Sequence, residues 1–235
     1  MEAPTGFSIF LSGFLVKSAL FGFYKFSTSI NADLNTSFFI TIILLGIIDS
    51  SFKMWGQSDL KKLVAYGTIQ EMNIIFLTFC YGDSFLIFSG ILFCLTHALL
   101  STFFFYLVDT IYRRFKTRNI FELQGLLHLT PNLGIFIFIG CVCYSGLPGT
   151  LKFICEFYIF SSLFDIAPLS TLILIFSANF IGIIGFCKCW FNVLFGLNIK
   201  FQKNKVIDLS FREILIKCLC CGGLFFFGVF IPWGY

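Results

Sequence analysis

Apolar residues fill this chain in long blocks separated by short polar joints. The blocks run at about 6–27, 37–56, 61–81, 84–111, 132–164, 169–196 and 211–232. Each holds the roughly 20 residues a helix needs to cross about 30 Å of hydrocarbon. The pattern predicts an all-α polytopic membrane protein of about seven transmembrane helices, with residues 1–235 forming one transmembrane domain. The third block is the most polar, carrying Lys61, Lys62, Gln70, Glu71 and Asn73. The fifth exceeds the length of one crossing and is interrupted by Gly146-Leu-Pro-Gly-Thr150, which predicts a discontinuous helix.

Composition agrees. Of 235 residues, 58% are hydrophobic and only 12% charged, too few to cover a soluble core of this size. The start, MEAPTGFS, has no basic region or cleavage site and does not read as a signal peptide. Phenylalanine accounts for 36 residues. Lipid accepts Leu and Ile equally well, so the bias points to a T-rich coding genome such as an organelle's. The ten cysteines lie almost entirely within apolar blocks. Cys218-Leu-Cys-Cys221 has a C-x-x-C spacing but no polar second ligand pair, so the cysteines read as packing residues and no metal site is expected.

The loop charges alternate along the chain. Lys53, Lys61 and Lys62 flank one joint, Arg113, Arg114, Lys116 and Arg118 another, and Lys200, Lys203, Lys205 and Arg212 a third. Seven crossings place all three on one side. The opposite joints carry Asp33, Asp83 and Asp165, with Lys25 the one base nearby. The positive-inside rule then puts the N-terminus on the matrix or cytoplasmic side and the C-terminus across the membrane. The net charge of +4 is a topology signal, and no nucleic-acid patch is visible.

Three ionisable residues sit near mid-membrane: Lys17 in the first block, His97 in the fourth and Glu156 after the interruption in the fifth. A charge in hydrocarbon is costly unless it meets a partner or water, which makes each a functional candidate. Lysine, histidine and carboxylate at common depth form a candidate proton-transfer row, the alternative being polar contacts between helices. Glu71 is positioned to join the row. Lys152 and Glu156, four residues apart, pair if the helix resumes at Thr150. Asp49 and Lys53 share that spacing at a membrane face. Asp109 and Lys217 read as end-of-helix charges that snorkel or pair, and Lys188 as snorkelling toward the basic side. His128 reads as interfacial. Gly146, Pro148 and Gly149 free backbone groups inside the membrane, which is tolerated only within protein or beside a water-filled cavity. Transporters build ion sites from such breaks.

These residues carry a resemblance. EAPTGFSIFLSGFLVKSALFGFYKF, QSDLKKLVAY, THALLST and GLPGTLKFICEF resemble segments of the NADH–ubiquinone oxidoreductase chain 4 family, antiporter-like membrane subunits of respiratory complex I. The likeness runs from residue 2 to about 160. It implies that Lys17 is the connecting lysine of a central proton path, His97 the connecting histidine and Glu156 the terminal carboxylate. It implies a subunit of an H+-translocating NADH:ubiquinone reductase in the mitochondrial inner membrane, N-terminus on the matrix side and C-terminus on the intermembrane-space side. Redox groups (FMN, iron–sulfur clusters and ubiquinone) would lie in other subunits, with none bound by this chain. The implied partners are other membrane-arm subunits, including the chain 2 and chain 5 antiporter-like subunits, and lipids such as cardiolipin.

The sequence departs from the family pattern in places. Glu71 stands where a histidine is usual, and Lys152 and Lys188 where neutral residues are. Family members are about twice as long, and this chain resembles their C-terminal half. The expectation is a split subunit whose N-terminal half is a separate polypeptide. A stand-alone multisubunit cation/proton antiporter and a non-pumping structural subunit remain open. A seven-helix receptor is disfavoured by the short loops and the buried Lys, His and Glu.

Overall fold

A computed structural model describes residues 3–30, 36–196 and 207–230. Lys200, Lys203, Lys205 and Asp33 lie outside them. The described residues form helices α1 (Thr5–Phe10), α2 (Val16–Ile30), α3 (Thr36–Trp55), α4 (Leu60–Tyr81), α5 (Ser84–Phe115), α6 (Leu126–Leu129), α7 (Pro131–Tyr144), α8 (Leu151–Ile166), α9 (Pro168–Leu174), α10 (Ile184–Leu194) and α11 (Phe211–Phe230). Six continuous helical stretches among them are long and apolar enough to cross a membrane. At 14 and 16 residues, α7 and α8 are each short for a crossing and lie on either side of the 145–150 break. Together they account for the seventh, and the chain is a multi-pass membrane protein.

Local chemistry sets the helix boundaries. Gly82 adopts a left-handed conformation (φ 71°) that ends α4, and the next residue, Asp83, accepts the Phe85 amide at 3.2 Å to start α5. Pro131 and Pro168 open α7 and α9 at the position where a missing N–H does no harm.

Two π-helical segments have no counterpart in the sequence reading. Leu11–Leu15 joins α1 to α2, and Ile175–Ile183 joins α9 to α10. Neither contains proline, so the apolar pattern runs through them without a mark. Wide turns of this kind are frequent at functional sites.

The described parts of the joints near 53–62, 112–122 and 197–212 meet at one end of the bundle. Ile120 donates its amide to the Ser58 carbonyl at 2.8 Å, and Leu60 to Arg118 at 3.1 Å. Arg114 forms a 2.5 Å ion pair with Glu213 and donates to the Ile207 and Asp208 carbonyls. Asp208 in turn accepts the Asn132 and Leu133 amides at the start of α7. Phenylalanines such as Phe14, Phe38, Phe176 and Phe230 cover the outside. The interior holds two apolar clusters, one around Phe104, Tyr144, Phe186 and Trp190, the other around Ile47, Ile75, Phe93 and Leu163.

One peripheral expectation changes. Lys217 neither snorkels nor pairs: it is fully buried, with Nζ 4.8 Å above the Tyr106 ring and no hydrogen-bond partner among the described residues. Contact between α11 and α5 holds it inward, and the ring supplies a cation–π contact. Lys188 lays its ammonium 4.8 Å from the Trp55 ring. Asp109 does pair, with Arg113 at 2.6 Å and with the Thr5 hydroxyl at 2.9 Å. Asp49 and Lys53 form an exposed 2.6 Å pair, and His128 is exposed on α6.

Candidate functional site

The 145–150 break leaves the last carbonyls of α7 without helical partners. One of them, Tyr144 O, accepts the Lys152 ammonium at 2.6 Å, so the cation sits at the negative end of the half-helix. Lys152 Nζ also lies 3.9 Å from the centre of the Tyr144 ring. Thr150 caps α8 by accepting the Phe153 amide at 3.4 Å.

From α4, Glu71 reaches the same ammonium at 2.7 Å. Its second oxygen meets His97 Nδ1 of α5 at 2.7 Å. Glu156, one turn beyond Lys152, approaches the ammonium at 3.6 Å. Glu71, His97, Lys152 and Glu156 are all buried. His97 Nε2 has no hydrogen-bond partner among the described residues. The result is a contiguous buried string across three helices: His97, Glu71, Lys152, Glu156.

Lys17 stands off from it. Its ammonium donates to the Ser12 carbonyl within the π-helical turn, and among the described residues it forms no ion pair with the string. The structure therefore does not bring Lys17, His97 and Glu156 into direct contact. Glu71 and Lys152 stand between the latter two. These are two of the residues that depart from the resembled pattern, and each is the other's partner. Their meeting was not visible in the sequence because 81 positions separate them. The one available signal was the polar run Gln70, Glu71 and Asn73 in an otherwise apolar block.

Gly146 adopts φ +67°, and a Cβ there would come within 2.9 Å of Glu156 Oε2. Glycine thus serves both the turn and the seat of the carboxylate. Gly149, at φ +96°, completes the turn. Pro148 lies exposed between them. Behind the site, Gln70 bridges helices by donating to Ser51 Oγ at 3.0 Å and to the Ala178 carbonyl of the second π-helical segment at 3.2 Å. Tyr144 OH donates to Gln70 Oε1 at 3.4 Å. Among the described residues no three His, Cys, Asp or Glu converge as a metal site would require.

The family model for the transmembrane part of NADH:quinone oxidoreductase and Mrp antiporter subunits matches residues 1–182. The chain belongs to this family. NADH-ubiquinone oxidoreductase chain 4 of Paramecium tetraurelia is 47% identical over 232 residues, 99% of this chain and 49% of that protein. The likeness thus extends well past residue 160, where the motifs stop. The chain spans about half the length of the curated relatives it matches. Among solved structures, a chain of the membrane-bound sulfane sulfur reductase, an archaeal respiratory membrane complex, superposes with a TM-score of 0.88 at 21% identity, covering 97% of this chain and 40% of that one. A chain of respiratory complex I from Thermus thermophilus gives 0.74 at 22%, covering 83% and 41%. At these identities the structural likeness speaks for the family fold.

Proposed function

We propose that this family member is a proton-translocating membrane-arm subunit of a respiratory NADH:ubiquinone reductase in the mitochondrial inner membrane. The observation that carries this reading is the buried string in which Glu71 touches both His97 and Lys152, at 2.7 Å each, and ends at Glu156 beside a helix break. The string holds two carboxylates against one lysine. With Lys152 charged, one negative charge is left over, and a low-dielectric interior favours neutrality. One further proton therefore belongs to the string, on His97 or a carboxylate, and moving it along the string is the transfer step. Lys17, poised on the π-helical turn, biases that proton by its charge. Glu156 exchanges it at the break, where Gly146 and Gly149 open the backbone.

The redox groups sit in other subunits, and this chain contributes the proton path. It works beside helices matching the other half of its relatives' length, and beside the further antiporter-like subunits of the arm. The N-terminus faces the matrix, in line with Lys61, Lys62, Arg113, Arg114, Lys116 and Arg118 at one end of the bundle. The family also contains cation/proton antiporters. The similarity to chain 4 of Paramecium tetraurelia, at 47% identity, favours the respiratory reading.

Native gel electrophoresis of solubilised membranes, with an in-gel NADH dehydrogenase stain and mass spectrometry, tests the assignment. The expected result is this chain in the NADH-oxidising band, together with sequence matching the other half of its relatives. Migration away from that activity supports the antiporter reading instead.

A further inference from the structure

The charged members of the string are unequally spaced. Lys152 Nζ lies 2.7 Å from Glu71 Oε1 but 3.6 Å from Glu156 Oε1. The first distance is that of a charge-assisted hydrogen bond, and the second is too long for one. Closing the second to about 2.8 Å takes a movement of about 0.8 Å, small for the flexible stem of a lysine.

The surroundings permit that movement. The Tyr144 carbonyl accepts the ammonium at 2.6 Å, and the Tyr144 ring lies 3.9 Å from it. Both belong to the end of α7, a pivot on which the cation stays while it changes carboxylates. An ammonium has three donors. Tyr144 O and Glu71 take two, which leaves one for Glu156. The carboxylates differ in their other contacts. Glu71 also meets His97 Nδ1 at 2.7 Å, whereas among the described residues Glu156 has no cation but Lys152 within ion-pair distance. In this arrangement the buried negative charge is best matched on Glu71, and the one extra proton of the string falls to Glu156.

We propose that Lys152 is a moving switch: its ammonium pairs with whichever carboxylate is ionised, and the transferred proton rides on the other. This inference rests on the function proposed above. In the arrangement seen, Lys152 faces Glu71 and Glu156 holds the proton. When Glu156 releases it at the break, the carboxylate left behind draws the ammonium across. Glu71, now without its cation, takes a proton from the imidazolium of His97, which the preceding part of the path reloads. The ammonium then gives a proton to Glu156 and accepts the one on Glu71. One N–H and one O–H bond break as one O–H and one N–H bond form, and the first arrangement returns. Release at Glu156 thus precedes uptake at Glu71, and the string never holds two transferable protons.

Infrared spectroscopy of the full chain in lipid reads the switch without the rest of the complex. The stretching band of a protonated buried carboxyl should be present, and its loss in Glu156→Gln assigns it. In Glu71→Gln the ammonium has only Glu156 to face, so the band should be lost there too. A band unchanged in Glu71→Gln, or absent from the unaltered protein, overturns the proposal. In the assembled complex, Lys152→Arg keeps the charge but gives up no proton. Protons moved per NADH oxidised should then fall to the level of Glu156→Gln. An unchanged ratio overturns the proposal, because Lys152 would then serve as a fixed charge. If the arginine variant does not assemble, the Glu71→Gln spectrum decides. None of these failures touches the assignment to the respiratory complex, which the native gel tests separately.

Discussion

Replacing Lys152 with methionine should be the most damaging single change in the chain. Among the described residues Lys152 is the one cation in contact with both Glu71 and Glu156, and it also donates to the Tyr144 carbonyl. Its removal leaves two buried carboxylates without the cation they share. Breaking a buried pair from one side typically costs about 3–5 kcal/mol. Glu71→Gln should cost less, because Lys152 and Glu156 then remain as a balanced pair at 3.6 Å. The double variant, Glu71→Gln with Lys152→Met, should recover much of what Lys152→Met alone loses, since one carboxylate has gone with its cation. Thermal unfolding of the four proteins in one detergent reads this cycle. Additive losses would mean that Glu71 and Lys152 do not interact.

The second large effect lies on α11. A Cβ at Gly228 would meet Gly149 O at 2.5 Å, Leu151 N at 2.6 Å and the Thr150 carbonyl carbon at 2.6 Å. All three are backbone atoms of the break and have no rotamer to yield. Gly228→Ala must therefore move α11 or the turn that seats Glu156, at about 1–3 kcal/mol for such overpacking. The same helix supplies its own controls. Gly222 has nothing within 4 Å of an added Cβ, and Gly223 only Leu99 Cδ1 at 3.5 Å. Alanine at either should be neutral or slightly stabilising through helix propensity. Equal melting temperatures for all three variants would show that α11 does not clamp the break.

Much of this architecture was legible because hydrocarbon leaves few options. Continuous apolar blocks give the crossings, Gly146, Pro148 and Gly149 mark the break, and the alternating bases of the joints fix which ends meet. What stayed hidden depends on the third dimension. The π-helical segments carry no proline, and their glycines, Gly13 and Gly182, look like any other glycine in an apolar block. Lys217 has the same local context as a snorkelling lysine, and only the packing of α11 on Tyr106 turns it inward. At the site, His97 and Glu156 are buried and connect through Glu71 and Lys152, whereas Lys17 is only half-buried and stands apart. Each of those looked like a local oddity until the fold placed them 2.7 Å apart.

The central claim is that protons leave the buried string through Glu156. The direct measurement is proton translocation against NADH oxidation in sealed membrane vesicles carrying Glu156→Gln in the assembled complex. Glu156 touches the string only at 3.6 Å, so the neutral isostere should leave assembly intact. The ratio of protons moved to NADH oxidised should fall while the complex still assembles. An unchanged ratio in a fully assembled complex would contradict it.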